Sequence, residues 1–353
     1  MLRATLCLLT ILAAGLVEAQ LPFATGRQVA MSRSQWRMFI PDTYTHRPGD
    51  EVDLLVHFHG DSQTVWNNAA YADLNAVIVT VNYNGLSSAY RVPFQDTTLF
   101  DQLLTDAENR LRGQTDFGAA ASFDTLAVSS FSAGYGAVRE IVKSPTYRTQ
   151  IDSLLAADSL YATTASDGTP LDSQMAGYKA YADLAAAGDK RFIFTHSQVA
   201  TFGYESTEET GNELLQHLSL GTATDNGVGL GTLRYYRKAE QEGFTLHGAR
   251  GATGDDHLAH LRYMGEWLGD LGLATRPPLG DFNADGRVDI ADYTTWRDGM
   301  ETGDTSIFDY GFWYANFGTG VGGNAVSVPE VGAITLLGCL SVGLVSSSRR
   351  RPR

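Results

Sequence analysis

From Val52 to Leu271 short apolar runs alternate with amphipathic stretches, and that rhythm predicts strands and helices in turn. Val52-Asp-Leu-Leu-Val-His-Phe58 reads as a strand ending at His59-Gly60-Asp61. Ala76-Val-Ile-Val-Thr-Val-Asn82 is a nearly unbroken β-branched run, the composition of a strand covered on both faces. Thr98 to Arg112 predicts a helix, with Leu99, Leu103 and Leu104 on one side and charges opposite. An apolar run from Thr125 to Phe131 then leads into a serine among small residues and a further helix. Ser153-Leu-Leu-Ala-Ala157, Arg191-Phe-Ile-Phe-Thr195 and Gly243-Phe-Thr-Leu-His247 complete the set of strands. Leu258 to Leu271 predicts one closing helix, with Leu261, Met264, Trp267 and Leu271 on a common face. Upstream, Gln28 to Ile40 is read as an antiparallel edge hairpin. The expected fold class is therefore α/β, a doubly wound and mostly parallel sheet.

The pattern changes at Ala274-Thr-Arg-Pro-Pro278, a linker by its proline pair, beyond which Gly280 to Gly318 is rich in Asp, Gly and aromatic residues. The expected organisation is a targeting segment over 1–19, the α/β body over 20–275, a small helical module over 276–318, a polar spacer over 319–327 and a sorting segment over 328–353. Met1-Leu-Arg3, the apolar run Leu6 to Leu16 and the small residue Ala19 have the three parts of a secretory signal peptide. At the other end Val328-Pro-Glu330 precedes the apolar run Val331 to Val345 and a terminal arginine cluster. That tail resembles the PEP-CTERM sorting signal. The resemblance implies an exported, envelope-sorted protein, held briefly in the inner membrane by its C-terminal segment and processed by an exosortase.

Composition narrows the possibilities. With 43% hydrophobic residues the chain can bury a sizeable core. Its two cysteines, Cys7 and Cys339, fall in the end segments, so the body has no disulfide framework and no thiolate metal site. A net charge of −14 argues against nucleic acid as a partner.

Candidate chemistry gathers at the predicted strand ends. Ser130-Phe-Ser132-Ala-Gly134 follows its strand in the manner of a nucleophile elbow, with Ser130 replacing the first glycine of G-x-S-x-G. Asp158 follows the next strand, and His257 and His260 follow the last. In a parallel sheet the loops after the strands share one edge, so a nucleophile, an acid and a base placed there can meet. The order Ser132, Asp158, His257 and the His59-Gly60 pair resemble the α/β-hydrolase superfamily over roughly Val52 to Leu271. That resemblance implies a serine esterase acting on an acyl ester, with oxyanion donors from the backbone of Ala133 and of Gly60 or Asp61. Many members carry the acid one strand later, where Thr195-His196-Ser197 has no carboxylate, so Glu205 and Glu208 stand as alternative acids. His260 is the alternative base. His57 and His59, with Asp61, also raise a zinc reading.

Asp281, Asn283, Asp285, Asp289 and Asp292 place oxygen ligands at positions 1, 3, 5, 9 and 12 of a loop, with Gly286 at the turn and the Arg287 carbonyl at position 7. This is calcium chemistry. The segment, with a helix from Tyr293 and a second helix Asp309 to Phe317, resembles the dockerin type I repeat, which implies structural calcium and a cohesin-like partner. Two other readings remain: a non-catalytic calcium-binding surface or adhesion protein on a hydrolase-like scaffold, and a polysaccharide-associated esterase.

Overall fold

The computed structural model describes residues 21–47, 51–283, 285–303, 305–307 and 309–320. The signal-peptide expectation over 1–19, both cysteines and the sorting segment over 328–353 lie outside the described residues. Among the described residues no helix is long and apolar enough to cross a membrane. The chain divides into two compact units, one ending at Arg276 and one beginning at Pro277.

The larger unit is built on one sheet of ten strands in the order β1-β2-β4-β3-β5-β6-β7-β10-β9-β8. These are β1 (Gly26–Ala30), β2 (Trp36–Pro41), β3 (Glu51–Phe58), β4 (Ala76–Val81), β5 (Ser122–Phe131), β6 (Ser153–Ala157), β7 (Arg191–His196), β8 (Ala223–Thr224), β9 (Tyr235–Gln241) and β10 (Phe244–Ala249). From β4 through β3, β5, β6 and β7 to β10 every pairing is parallel. Antiparallel pairs finish both sides: β1 and β2 form the expected edge hairpin, and β9 and β8 close the other side. A mixed, mostly parallel sheet with these crossovers fits the α/β-hydrolase fold.

Helices cover both faces: α1 (Ser62–Tyr71), α2 (Ser87–Phe94), α3 (Leu99–Arg112), α4 (Tyr135–Ile141), α5 (Pro145–Gln150), α6 (Asp172–Ala186), α7 (Thr207–His217), α8 (Gly254–Arg262) and α9 (Gly265–Leu268). Side chains alternate between the two faces along each strand. Leu54, Val56 and Phe58 of β3 therefore join one core with α2, α3, α4, α6 and α7 residues, while Leu55 joins a second with α1, α8 and α9 residues. All six residues of β4 are buried, as its β-branched composition requires.

The single closing helix expected over Leu258 to Leu271 is instead broken between α8 and α9. Asn68 of α1 enters the break. Its Nδ2 donates to Leu261 O at 3.0 Å, and its Oδ1 accepts from Gly265 N at 2.7 Å. A side chain at 265 would meet Asn68 O at 2.9 Å, so the glycine permits the close approach. Helix α8 also begins earlier than the expected Leu258, before His257, because Thr253 and Asp256 form a capping box at its start.

The second unit contains α10 (Ile290–Thr302) and α11 (Asp309–Asn316). The rings of Tyr293, Trp296, Tyr310 and Trp313 pack between them, with centroids 5.1–5.5 Å apart along the chain of contacts.

Candidate active site and acidic loop

Three neighbouring strands, β3, β5 and β6, each end in a residue forced to positive φ. His59 has φ 70°, Ser132 φ 44° and Asp158 φ 44°, with Gly60 at φ 140°. Such backbone costs about 1–3 kcal/mol per non-glycine residue and is held only where the surroundings over-determine it. These side chains are thereby turned out at the carboxyl edge of the sheet.

At Ser132 the chain passes from β5 through one 3₁₀ turn into α4. The turn is tight because a side chain at Gly134 would lie 2.1 Å from Phe58 O, and one at Gly136 2.2 Å from Ser87 O. Ser130, which stands where the elbow pattern has glycine, is fully buried. Its hydroxyl pairs with that of Ser159 at 2.8 Å, and Ser159 Oγ also lies 2.9 Å from Ser132 O. The extra hydroxyl is thus satisfied by the residue next to Asp158, which is what makes serine tolerable there.

Asp158 is fully buried and accepts at both oxygens. Oδ2 takes His257 Nδ1–H at 2.6 Å; Oδ1 takes Ser197 N–H at 2.9 Å and the Thr207 hydroxyl in a short contact. Burial alone would raise its pKa. The His260 and His257 rings and Ser197 outweigh that, and the carboxyl is held well below the usual range. Burial also keeps His260 below the ordinary histidine value.

His257 is partly exposed and stacks on Phe131, the residue before Ser132, at 4.6 Å. With Nδ1 committed to Asp158, Nε2 has no partner among the described residues, and neither has Ser132 Oγ. The alternatives stand elsewhere. His260 is fully buried, with Nδ1 on Thr195 Oγ1 at 2.7 Å and its ring on Trp267. Glu208 accepts from Tyr236, and Glu205 pairs through its backbone with Ala162. The imidazole takes neither glutamate as its partner.

The two early histidines hold the chain rather than a metal. His57 Nδ1 lies 2.8 Å from Ser129 Oγ and Nε2 2.9 Å from His59 O, and burial pushes its pKa down to about 4. His59 Nδ1 meets Tyr90 OH at 2.8 Å, and its pKa is lowered by burial and then by His257. Of the expected oxyanion donors, Gly60 gives its N–H to Asn82 Oδ1 at 3.0 Å. Asp61 N–H has no acceptor among the described residues, while its side chain caps α1 through Thr64 N. Ala133 is the central residue of the 3₁₀ turn. Asn82, Phe131, Ser159, Ser197 and Thr207 were not anticipated from the sequence. Only the position of Ser159 beside Asp158 and of Asn82 at a strand end would have marked them.

In the second unit the acidic loop curls around its own amides. Asp281 accepts from Gly286 N at 2.8 Å and Asp285 N at 3.2 Å, and Asp292 from Asn283 N at 3.1 Å and Asp289 N at 2.7 Å. Asp285 accepts from Arg287 N at 3.0 Å, and Asp289 Oδ1 from Ala291 N at 2.7 Å. Gly286 makes the turn at φ 84°. Asp292 is fully buried, and Asp281 is raised by burial and by the neighbouring charges of Asp292 and Asp285. Among the described residues no three His, Cys, Asp or Glu side chains are arranged as a metal cluster.

No family model matches the chain, and no curated protein matches it. Among solved structures it is similar to the siderophore hydrolase EstB from Aspergillus nidulans, with 10% identity, 73% of this chain and 97% of that one covered, and a TM-score of 0.41. A poly(3-hydroxybutyrate) depolymerase from Bordetella parapertussis gives 14% identity, 71% and 92% coverage and a TM-score of 0.39. An ester hydrolase from the metagenome of Lake Arreo gives 14%, 72% and 82%, and 0.37.

Proposed function

We propose that the body is a serine hydrolase that cleaves carboxylic esters. The observation that carries this is the 2.6 Å hydrogen bond from His257 Nδ1 to Asp158 Oδ2, on the strand end next to the one that presents Ser132 at φ 44°. In the proposed reaction Ser132 Oγ attacks the acyl carbonyl carbon while His257 Nε2 takes its proton. Asp158 keeps Nδ1 protonated, so that Nε2 is the acceptor, and favours the imidazolium that forms. The carbonyl oxygen gains charge and is met by backbone amides, Ala133 from the elbow and Asp61 from the loop after β3. The intermediate collapses when His257 returns the proton to the departing alcohol. Water, activated by the same imidazole, then releases the acid and restores Ser132.

Fluorophosphonate labelling tests this. Native protein should label, and Ser132→Ala should not. Absence of labelling in the native protein would favour the non-catalytic scaffold.

The same reading extends to the rest of the chain. The acidic loop is proposed to hold calcium through Asp281, Asn283, Asp285, the Arg287 carbonyl, Asp289 and Asp292. Asp292, which is buried, and Asp281, which is raised by burial and then by the charges of Asp292 and Asp285, would be relieved by a hard cation. Bound calcium would supply structural cross-linking of the loop and no catalytic chemistry. Export, envelope sorting by an exosortase and docking to a cohesin-like partner complete the proposal, resting on the sequence segments that suggested them.

A further inference from the structure

The loop between β3 and α1 has three amides that could face a developing oxyanion, and two are already spoken for. His59 N donates to Val81 O at 3.1 Å, and Gly60 N donates to Asn82 Oδ1 at 3.0 Å. Only the amide of Asp61 remains without an acceptor among the described residues. Asn82 follows the end of β4, the neighbour of β3, and its own backbone is anchored by its N–H on Gln35 O at 2.9 Å. Its Nδ2 lies 3.3 Å from Ser62 Oγ, which in turn lies 2.9 Å from Thr80 Oγ1. The side chain therefore spans the loop and the first residue of α1.

The grip matters because Gly60 sits at φ 140° with no side chain of its own to hold it. A methyl group at 60 would lie 2.8 Å from Leu261 Cδ1, and Leu261 is one helical turn beyond His257. The loop thus lies between Asn82 on one side and the helix of the general base on the other. Across the strands, Phe58 pairs with Ser130, which brings the residues after Phe58 alongside Phe131 to Ala133. His59 stacks on Phe131 at 6.1 Å, in keeping with that placement.

We infer that Asn82 is a positioning residue: by binding the Gly60 amide it fixes the peptide that follows and aims the Asp61 N–H at the oxyanion. This rests on the serine-hydrolase reading. An oxyanion donor must be set before reaction, because reorientation in the transition state would consume the advantage of a fixed dipole. Removing the Oδ1 acceptor frees the Gly60 amide and lets the loop relax from its positive-φ state. Substrate binding needs no such aim, so the loss falls on kcat rather than KM.

The test is steady-state hydrolysis of a p-nitrophenyl ester by native protein, Asn82→Leu and Asn82→Asp. Asn82→Leu fills the space without an acceptor, and kcat should fall about 10- to 100-fold with KM within about twofold. Affinity for a trifluoromethyl ketone, whose adduct carries the oxyanion, should fall in parallel. Asn82→Asp keeps the acceptor and should recover kcat to within about fivefold of native. If Asn82→Leu does not fold, Asn82→Ser, which is too short to reach Gly60, is held to the same expectation. Native kcat and native ketone affinity in a folded Leu or Ser variant would overturn the inference. Native protein that neither labels with fluorophosphonate nor hydrolyses the ester overturns the hydrolase reading instead, so the two failures are told apart.

Discussion

Replacing Asp158 by asparagine exchanges one carboxylate oxygen for an NH₂ group at little change in volume, so its effect can be followed donor by donor. Oδ1 faces two donors, the Ser197 amide and the Thr207 hydroxyl, while Oδ2 faces His257 Nδ1. Asparagine has one acceptor and one NH₂. If the NH₂ faced Ser197, two N–H groups would oppose each other in a fully buried place, at about 1–3 kcal/mol. The Thr207 hydroxyl can rotate, but the Ser197 amide cannot. The carboxamide oxygen therefore stays with those donors and the NH₂ turns to His257. Nδ1 must then accept, which puts the ring proton on Nε2, where it can no longer take the Ser132 proton. The chain loses both the tautomer and the charge that favours imidazolium. By analogy with the same exchange in a serine protease, kcat should fall about 10⁴-fold, or about 5 kcal/mol of barrier. KM should hold, and Tm should move by only a few degrees. Ester hydrolysis with active-site titration checks it. An Asp158→Asn enzyme within about tenfold of native would refute the assignment of this carboxylate as the partner of the base.

Four further outcomes follow from the same structure. Glu205→Gln and Glu208→Gln should each leave kcat within about threefold of native, since His257 takes neither as its partner; a loss like that of Asp158→Asn in either would move the acid there. Gly134→Ala drives a methyl carbon to 2.1 Å from Phe58 O, so thermal unfolding should show a loss of about 3 kcal/mol, and an unchanged Tm would contradict the tight elbow. Acid should weaken the fold above the range where carboxylates titrate: buried His57, at about 4 when folded, stays neutral while the unfolded chain takes a proton near pH 6.5, so stability falls by roughly 3 kcal/mol from pH 7 to pH 4. Depressed Asp158 adds its own loss only below about pH 4, and urea midpoints for His57→Gln should slope less steeply than native between pH 7 and pH 4. Finally, calorimetry on the whole chain should detect calcium binding that Asp281→Ala with Asp285→Ala abolishes; equal binding in the double variant removes the acidic loop from the account.

The parallel strands were legible because each is a short, strongly apolar run buried on both faces, and β4 left no other reading. Helices α1 and α6 were not: α1 is short and mixes Val65 and Trp66 with Asn68 and Ala69 on its buried face, while α6 buries Gly177, Ala182, Ala185, Tyr178 and Tyr181 beside Met175, residues of little apolar contrast. Strand β9 reads as polar, Tyr-Tyr-Arg-Lys-Ala-Glu-Gln, because it lies next to the edge of the sheet with much of its length solvated. Its turn into β10 uses Glu242 at φ 48°, where asparagine or aspartate would have signalled a hairpin. The break between α8 and α9 depends on Asn68, about two hundred residues away in the chain, and no local pattern can report a partner of that kind.

At the proposed site the sequence pointed to chemically particular residues, of which the structure joins His257 to Asp158, and it did not point to the residues that hold them. Serine, aspartate and histidine at strand ends announce themselves because few other side chains can transfer or orient a proton. Their supports are common polar residues whose roles appear only when strands are laid side by side. Ser159 compensates Ser130 across β5 and β6, His57 fastens β3 to the loop that follows it, and Asn82 reaches that loop from β4. Each support acts on a residue of positive φ or on its immediate neighbour. Strained backbone at three adjacent strand ends would relax if those hydrogen bonds were absent, and the side chains would turn away from the edge. The departure from glycine at position 130 is therefore filled by a hydroxyl pair that ties the strand leading to Ser132 to the strand leading to Asp158.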